Sequence, residues 1–106
     1  MAVDSERITL ADNPEKDRYE LRVDGELAGR LLYRRRPGLL ALNHTEIDDR
    51  FEGQGLGSRL ISFALDDARE HGLAVLPFCP FVNAYIQRHR EYVDLVPETF
   101  LKQFDL

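Results

Sequence analysis

Apolar and polar residues alternate from Tyr19 to Val23, with Tyr19, Leu21 and Val23 set against Glu20 and Arg22. A period of two marks a strand with one buried face. Asp24-Gly25 follows as a hairpin turn dipeptide. The pattern resumes from about Glu26 to Arg35, with Leu27, Leu31 and Tyr33 on one face. Pro37-Gly38 marks a second turn, and Leu39 to Ile47 reads as a third hairpin-linked strand, apolar at its start and polar at its end. Upstream, Arg7 to Leu10 predicts a first short strand and Asn13 to Asp17 a polar loop. Residues 1–6 predict a loose end.

Asp48 to Gln54 connects these strands to a segment of different period. From Gly55 onward Leu56, Leu60, Ile61, Ala64, Leu65 and Ala68 form one stripe, with Arg59, Ser62, Asp66, Arg69 and Glu70 opposite. That spacing predicts an amphipathic helix stopped by His71-Gly72. Leu73 to Leu76 is a short apolar run, and after a crossover helix it predicts a buried strand parallel to the third long strand. Val82 to His89 predicts a second helix. Beyond Tyr92 two readings stand: Val93, Leu95 and Val96 as a last strand, and Phe100, Leu101 and Phe104 as a short terminal helix. The order is an antiparallel meander followed by strand–loop–helix–strand–helix. It predicts an α+β fold with helices packed on a mostly antiparallel sheet, in one domain spanning 1–106.

Composition narrows the function. The formal net charge of -5 does not favour nucleic acid. One cysteine, Cys79, allows no intrachain disulfide and no thiolate zinc site, so no metal is expected. No stretch approaches a membrane span, the start lacks a signal-peptide apolar core, and the expected address is a reducing cytoplasm.

The chemistry concentrates in Glu52-Gly53-Gln54-Gly55-Leu56-Gly57-Ser58, where three glycines alternate just before the first helix. Glycine lets the backbone approach a ligand closely, and a helix start offers unpaired N–H groups and partial positive charge. Such a turn suits a phosphate or pyrophosphate. It is not a P-loop, because Gly57 is followed by Ser58-Arg59 rather than Lys and Ser or Thr. Nor is it a dinucleotide fingerprint: the glycine spacing differs, and the next strand ends in Pro77-Phe78 without an acid.

The segment from Ile47 through Gly57 to Leu60 resembles the acetyl-CoA-binding motif of the GNAT superfamily of N-acetyltransferases. In that motif a strand ends in a β-branched residue, here Ile47, and a loop leads to Arg/Gln-x-x-Gly-x-Gly/Ala at a helix start. Glu52 departs from the Arg/Gln position. His44-Thr45-Glu46-Ile47, the Pro77-Phe78-Cys79-Pro80-Phe81 run and the His89-Arg90-Glu91-Tyr92 segment are similar to a branch of minimal single-domain acetyltransferases with a cysteine on the strand after the helix. The likeness covers roughly residues 18 to 97. It implies transfer of an acetyl group from acetyl-CoA to an amine, of a small molecule or a protein lysine. The cofactor would meet Ile47, Gly53, Gln54, Gly55, Leu56, Gly57 and Ser58, with Arg59 near its phosphates and Asn83 near its pantetheine amide.

Amine attack on a thioester needs a neutral amine, a stabilised oxyanion and a proton for the departing thiolate. Glu46 is the candidate base, or positioner of a base water, as against a solvated carboxylate at a strand end. His44, two residues earlier and so on the same sheet face, is a second candidate; the alternative is a hydrogen-bonded structural histidine. Cys79 has three open roles: lining the pocket near the cofactor sulfur, packing as a small hydrophobe, or relaying the acetyl group covalently. Tyr85 and Tyr92 are candidate proton donors, or packing aromatics. Asn83 is otherwise a helix cap, and Arg34-Arg35-Arg36 reads as a solvated strand edge. Glu52 and the short chain keep a second function open, a non-catalytic CoA-binding or interaction module on the same fold.

Overall fold

The protein's structure, a computed structural model, describes residues 3–106. Five strands form one sheet in the order in which they occur along the chain: β1 (Ile8–Asn13), β2 (Arg18–Val23), β3 (Glu26–Arg36), β4 (Leu39–Ile47) and β5 (Ala74–Pro77). The first four are antiparallel neighbours and β5 pairs parallel to β4. Between the last two runs helix α1 (Leu56–Glu70), and α2 (Pro80–Arg88) follows β5. The α+β meander and the parallel return strand are thus as the sequence predicts.

The sheet face toward α1 carries Tyr19, Leu21, Leu31, Tyr33, Leu40 and Leu42, all buried. Helix α1 packs across β2, β3, β4 and β5, and its buried residues are Leu56, Leu60, Ile61, Ala64, Leu65 and Ala68, the whole expected stripe. Tyr19 donates a hydrogen bond of 2.8 Å to Asp67, which ties β2 to α1. The register shifts between Leu32 and Tyr33, which pair with His44 and Leu42 and leave Asn43 as the extra residue of a bulge in β4. Beyond the bulge, Thr45 and Ile47 return to the α1 side, opposite Leu31 and Gly29, while His44 and Glu46 face away.

Some boundaries differ. β1 starts at Ile8 and runs to Asn13. Of the expected loose end, Met1 and Ala2 lie outside the described residues, and Ser5–Arg7 is a 3-10 turn capped by the Asp4 carboxylate. α2 begins at Pro80, since proline suits a first helical position. Val93, Leu95 and Val96 do not form a strand. Arg90–Leu95 is a 3-10 segment held by Arg69, which donates to Asp94 and to the Glu91 carbonyl, and packing alone buries Leu95 and Val96. The terminal helix shrinks to a 3-10 turn, Glu98–Phe100, with Phe104 seated edge-on against Phe78. Among the described residues no helix is long and apolar enough to cross a membrane.

Candidate functional site

Strands β4 and β5 pair only from Leu39 to Leu42 and from Ala74 to Pro77. The last link between them is the Cys79 N–H donating to the Leu42 carbonyl at 2.9 Å. There β5 ends, and Cys79-Pro80 turns the chain into α2. The polar end of β4 continues to Ile47 without a strand on that side. A cavity of about 610 Å³ opens in the gap, between the end of β4, the glycine turn and α2. Its size is that of a small-molecule or cofactor site.

The glycine turn forms one wall. Gly53 and Gly55 hold φ of 77° and 75°, a left-handed conformation costly for other residues. Gly55 caps α1, and among the described residues no side chain hydrogen-bonds to the helix start. The first intrahelical bond is from Arg59 N–H to the Gly55 carbonyl, at 3.4 Å. The N–H groups of Leu56, Gly57 and Ser58 therefore stand at the positive end of a 15-residue helix with no capping side chain, and all three residues line the cavity.

Other expected residues divide. Ile47 and Glu46 line the cavity with Gly53 and Gly55. Gln54 is not among the lining residues. Arg59 turns aside and donates to Ser5 Oγ at 3.0 Å, in an adjoining shallow depression that shares Ser58 and Tyr85 with the cavity. Asn83 is on another face of α2, donating to the Phe104 carbonyl at 2.9 Å, so it does not cap the helix by its side chain. His44 is exposed on the far sheet face, with Nε2 4.0 Å from Glu46. The Glu46 carboxylate accepts from Arg30, its cross-strand partner, at 2.7 Å. Glu46 also borders a smaller cavity of about 270 Å³ with Arg30, Asp48 and Asp49.

Cys79 is 1% exposed and lies outside the lining. Its Sγ is 3.3 Å from the hydroxyl of Thr45, which does line the cavity. The cysteine thus sits behind a threonine of the wall. The two tyrosines also separate. Tyr85 lines the cavity and stacks on His89 at 4.1 Å between ring centroids. Tyr92 donates to Asp66 at 2.7 Å. The bond from Ser62 pulls the Tyr92 phenol down, but partial burial and Asp66 outweigh it and leave it above its usual range, which disfavours proton donation.

The α2 wall is built from Phe81, Tyr85 and Arg88, at i, i+4 and i+7 on one helix face. Phe81, Arg88 and Thr45 are not among the site residues that the sequence predicts: a helix expected from Val82 leaves Phe81 outside it, and only the bulge brings Thr45 to the cavity side, whereas Arg88 follows Tyr85 at helical spacing.

A family model described as GCN5-related N-acetyl-transferase matches residues 18–95. By sequence, no curated protein matches the chain. Solved structures that share the fold include the following three. A GCN5-like putative N-acetyltransferase from Staphylococcus aureus is 19% identical with a TM-score of 0.66, over 86% of this chain and 89% of that one. The ribosomal-protein-alanine N-acetyltransferase of Brucella melitensis biovar Abortus 2308 is 24% identical with a TM-score of 0.51, over 76% and 60%. Ard1 from Thermoplasma volcanium is 22% identical with a TM-score of 0.50, over 57% and 43%. With most of its length matched by the family model and its sheet opening into a cleft beside the glycine turn, the chain belongs to the GCN5-related N-acetyltransferase family and is an acetyltransferase.

Proposed function

We propose that this chain moves the acetyl group of acetyl-CoA to a primary amine, of a small molecule or a protein lysine. The observation that carries the reading is the cavity itself, which opens where β4 and β5 part and has uncapped helix amides in its wall. The residues fit the cofactor: the amides of Leu56, Gly57 and Ser58 suit its diphosphate, and the free edge of β4 toward Ile47 suits its amide-bearing arm. Arg59 adds positive potential from the adjoining depression, and Asn83 supports the site by holding the C-terminal segment, whereas Gln54 serves only to link Gly53 and Gly55 in the turn.

When bound, the cofactor supplies an activated thioester; the new N–C bond replaces C–S, the amine loses a proton and the thiolate gains one. Glu46 takes the amine proton directly or through water, and Arg30 fixes its direction. His44, 4.0 Å from Glu46, passes that proton to solvent. Tyr85 gives the thiolate its proton from the α2 wall. Cys79 acts from behind the wall by placing Thr45, rather than as a nucleophile. The smaller cavity beyond Glu46, bordered by Asp48 and Asp49, suits the approach of a cationic amine.

Calorimetric titration with acetyl-CoA tests the reading. The unaltered protein binds, and Gly55→Glu, which puts a strained, negative side chain in the turn, abolishes binding. No heat with the unaltered protein would remove the proposal. Glu52, an acid where the motif has Arg or Gln, favours a second reading, a module that binds the cofactor without turnover. Acetyl-CoA bound but left unconsumed across a panel of amines and basic peptides would establish that one instead.

A further inference from the structure

The charges around the cavity raise a problem that the glycine turn alone does not solve. Glu46, Asp49 and Glu52 all line it, and among the described lining residues Arg88 is the only cation. Helix amides offer partial charges worth roughly half a unit in sum, whereas a nucleotide-linked diphosphate carries full negative charge. Glu52, at the motif position that is ordinarily basic or neutral, adds repulsion.

Arg88 is placed to meet that need. Phe81, Tyr85 and Arg88 share the cavity-facing side of α2. Tyr85 and Ser58 together border both the cavity and the depression next to it, so the later half of α2 faces the first turn of α1. Arg88 is one turn past Tyr85. It is exposed and makes no ion pair or side-chain hydrogen bond among the described residues, while six other arginines, at 7, 18, 22, 30, 50 and 69, have carboxylate partners. The helix begins at Pro80, just after Cys79 where β4 and β5 part, and rises about 1.5 Å per residue, so Arg88 stands about 13 Å along its axis from the parting point.

Resting on the acetyl-CoA reading above, we propose that Arg88 is the phosphate anchor of the cofactor, supplying from α2 the positive charge that Glu52 fails to supply from the turn. A guanidinium binds phosphate oxygens in pairs, so its contribution is directional as well as electrostatic.

The test is calorimetric titration of the unaltered protein, Arg88→Gln and Arg88→Lys with coenzyme A, and of the first two with pantetheine, which has no phosphate. Arg88→Gln weakens coenzyme A binding about tenfold or more, the usual scale of a lost charge-assisted bond, and leaves pantetheine unchanged. Arg88→Lys falls between. The affinity of Arg88→Gln for coenzyme A also depends less on salt. Circular dichroism of this exposed variant should match the unaltered protein. Equal coenzyme A binding by the unaltered protein and Arg88→Gln, or equal losses for coenzyme A and pantetheine, would overturn the anchor while leaving the cofactor reading intact. Absence of coenzyme A binding by the unaltered protein would overturn both.

Discussion

Gly55 and Gly57 stand two residues apart in one turn, yet physics assigns them different jobs. Gly55 has φ of 75°, and a Cβ built there meets nothing within 4 Å, so alanine is opposed only by the backbone. Gly55→Ala should lower stability by about 1–2 kcal/mol, the cost of a left-handed residue with a side chain, measurable by urea unfolding. Gly57 is helical, and its Cβ would rest 3.8 Å from Ile47 in ordinary contact. Gly57→Ala should keep or slightly raise stability. It should still weaken acetyl-CoA binding about tenfold if the ligand lies against the turn, because a methyl there occupies cavity wall. Unchanged affinity would detach the glycines from the cofactor. Cys79 carries a third expectation at this scale. Being buried against Thr45, it gives Cys79→Ala a stability loss of about 1 kcal/mol with acetyl transfer retained, and loss of all transfer in a folded variant would restore the covalent relay. The glycine turn was legible because only a few chemistries use alternate glycines before a helix. The environment of Cys79 was not, because no pattern along the chain brings Thr45 to within 3.3 Å of a residue 34 positions later.

At the scale of elements, the strands and α1 could be read because each buries one side only, which leaves a clean period of two or 3.6. The stripe on α1 matches its buried residues one for one. Three things were hidden. A bulge at Ala28 in β3 turns Leu27 to the side of its partner Arg22, so it does not share the face of Leu31 and Tyr33 as the alternation predicts. The bulge at Asn43 breaks the alternation of β4, leaving Asn43 and His44 both exposed, so Thr45 joins Leu42 on the α1 side across three positions instead of two. Pro80 is the first residue of α2, so a helix expected from Val82 leaves Phe81 outside it and splits the Phe81–Tyr85–Arg88 face. The joint between elements that matters most is Tyr19 on β2 with Asp67 on α1. Burial first, and then the bond to Asp67, push the Tyr19 phenol far above its ordinary range, so it stays a donor at all working pH values. Tyr19→Phe keeps the ring contacts with Tyr33 and Phe63 and removes only the hydroxyl. A loss of about 1–2 kcal/mol in urea unfolding is expected, since Asp67 loses a partner near the buried face. No loss would mean that water replaces the hydroxyl without cost.

For the whole molecule the relevant variable is charge, because the chain is acidic and its sheet face away from α1 is rich in arginine. Arg18, Arg22 and Arg30 lie there, and so does Glu20, a buried charged residue. Burial raises the Glu20 pKa, but the bonds it accepts from Arg18, Asn13 and Arg22 outweigh that and hold it below its usual 4.5. A carboxylate lowered on folding stabilises the folded state above its unfolded pKa, and that contribution disappears as pH falls through the folded value. Stability should therefore be level from neutral pH down to about 4.5 as far as Glu20 is concerned, and should decline below it. Asp24 and Asp48 are also lowered, by bonds first from Arg7 and Arg50 respectively, but both are fully exposed, where solvent screens such pairs. The acid limb should accordingly depend on Glu20 more than on either. Glu20→Gln should lose about 1–3 kcal/mol at pH 7, since two arginines lose a charged partner on a half-buried face. It should also lose less than the unaltered protein between pH 4.5 and 3. Urea unfolding of both proteins at pH 7, 4.5 and 3 measures this, and parallel losses across that range would place the acid sensitivity in some other group.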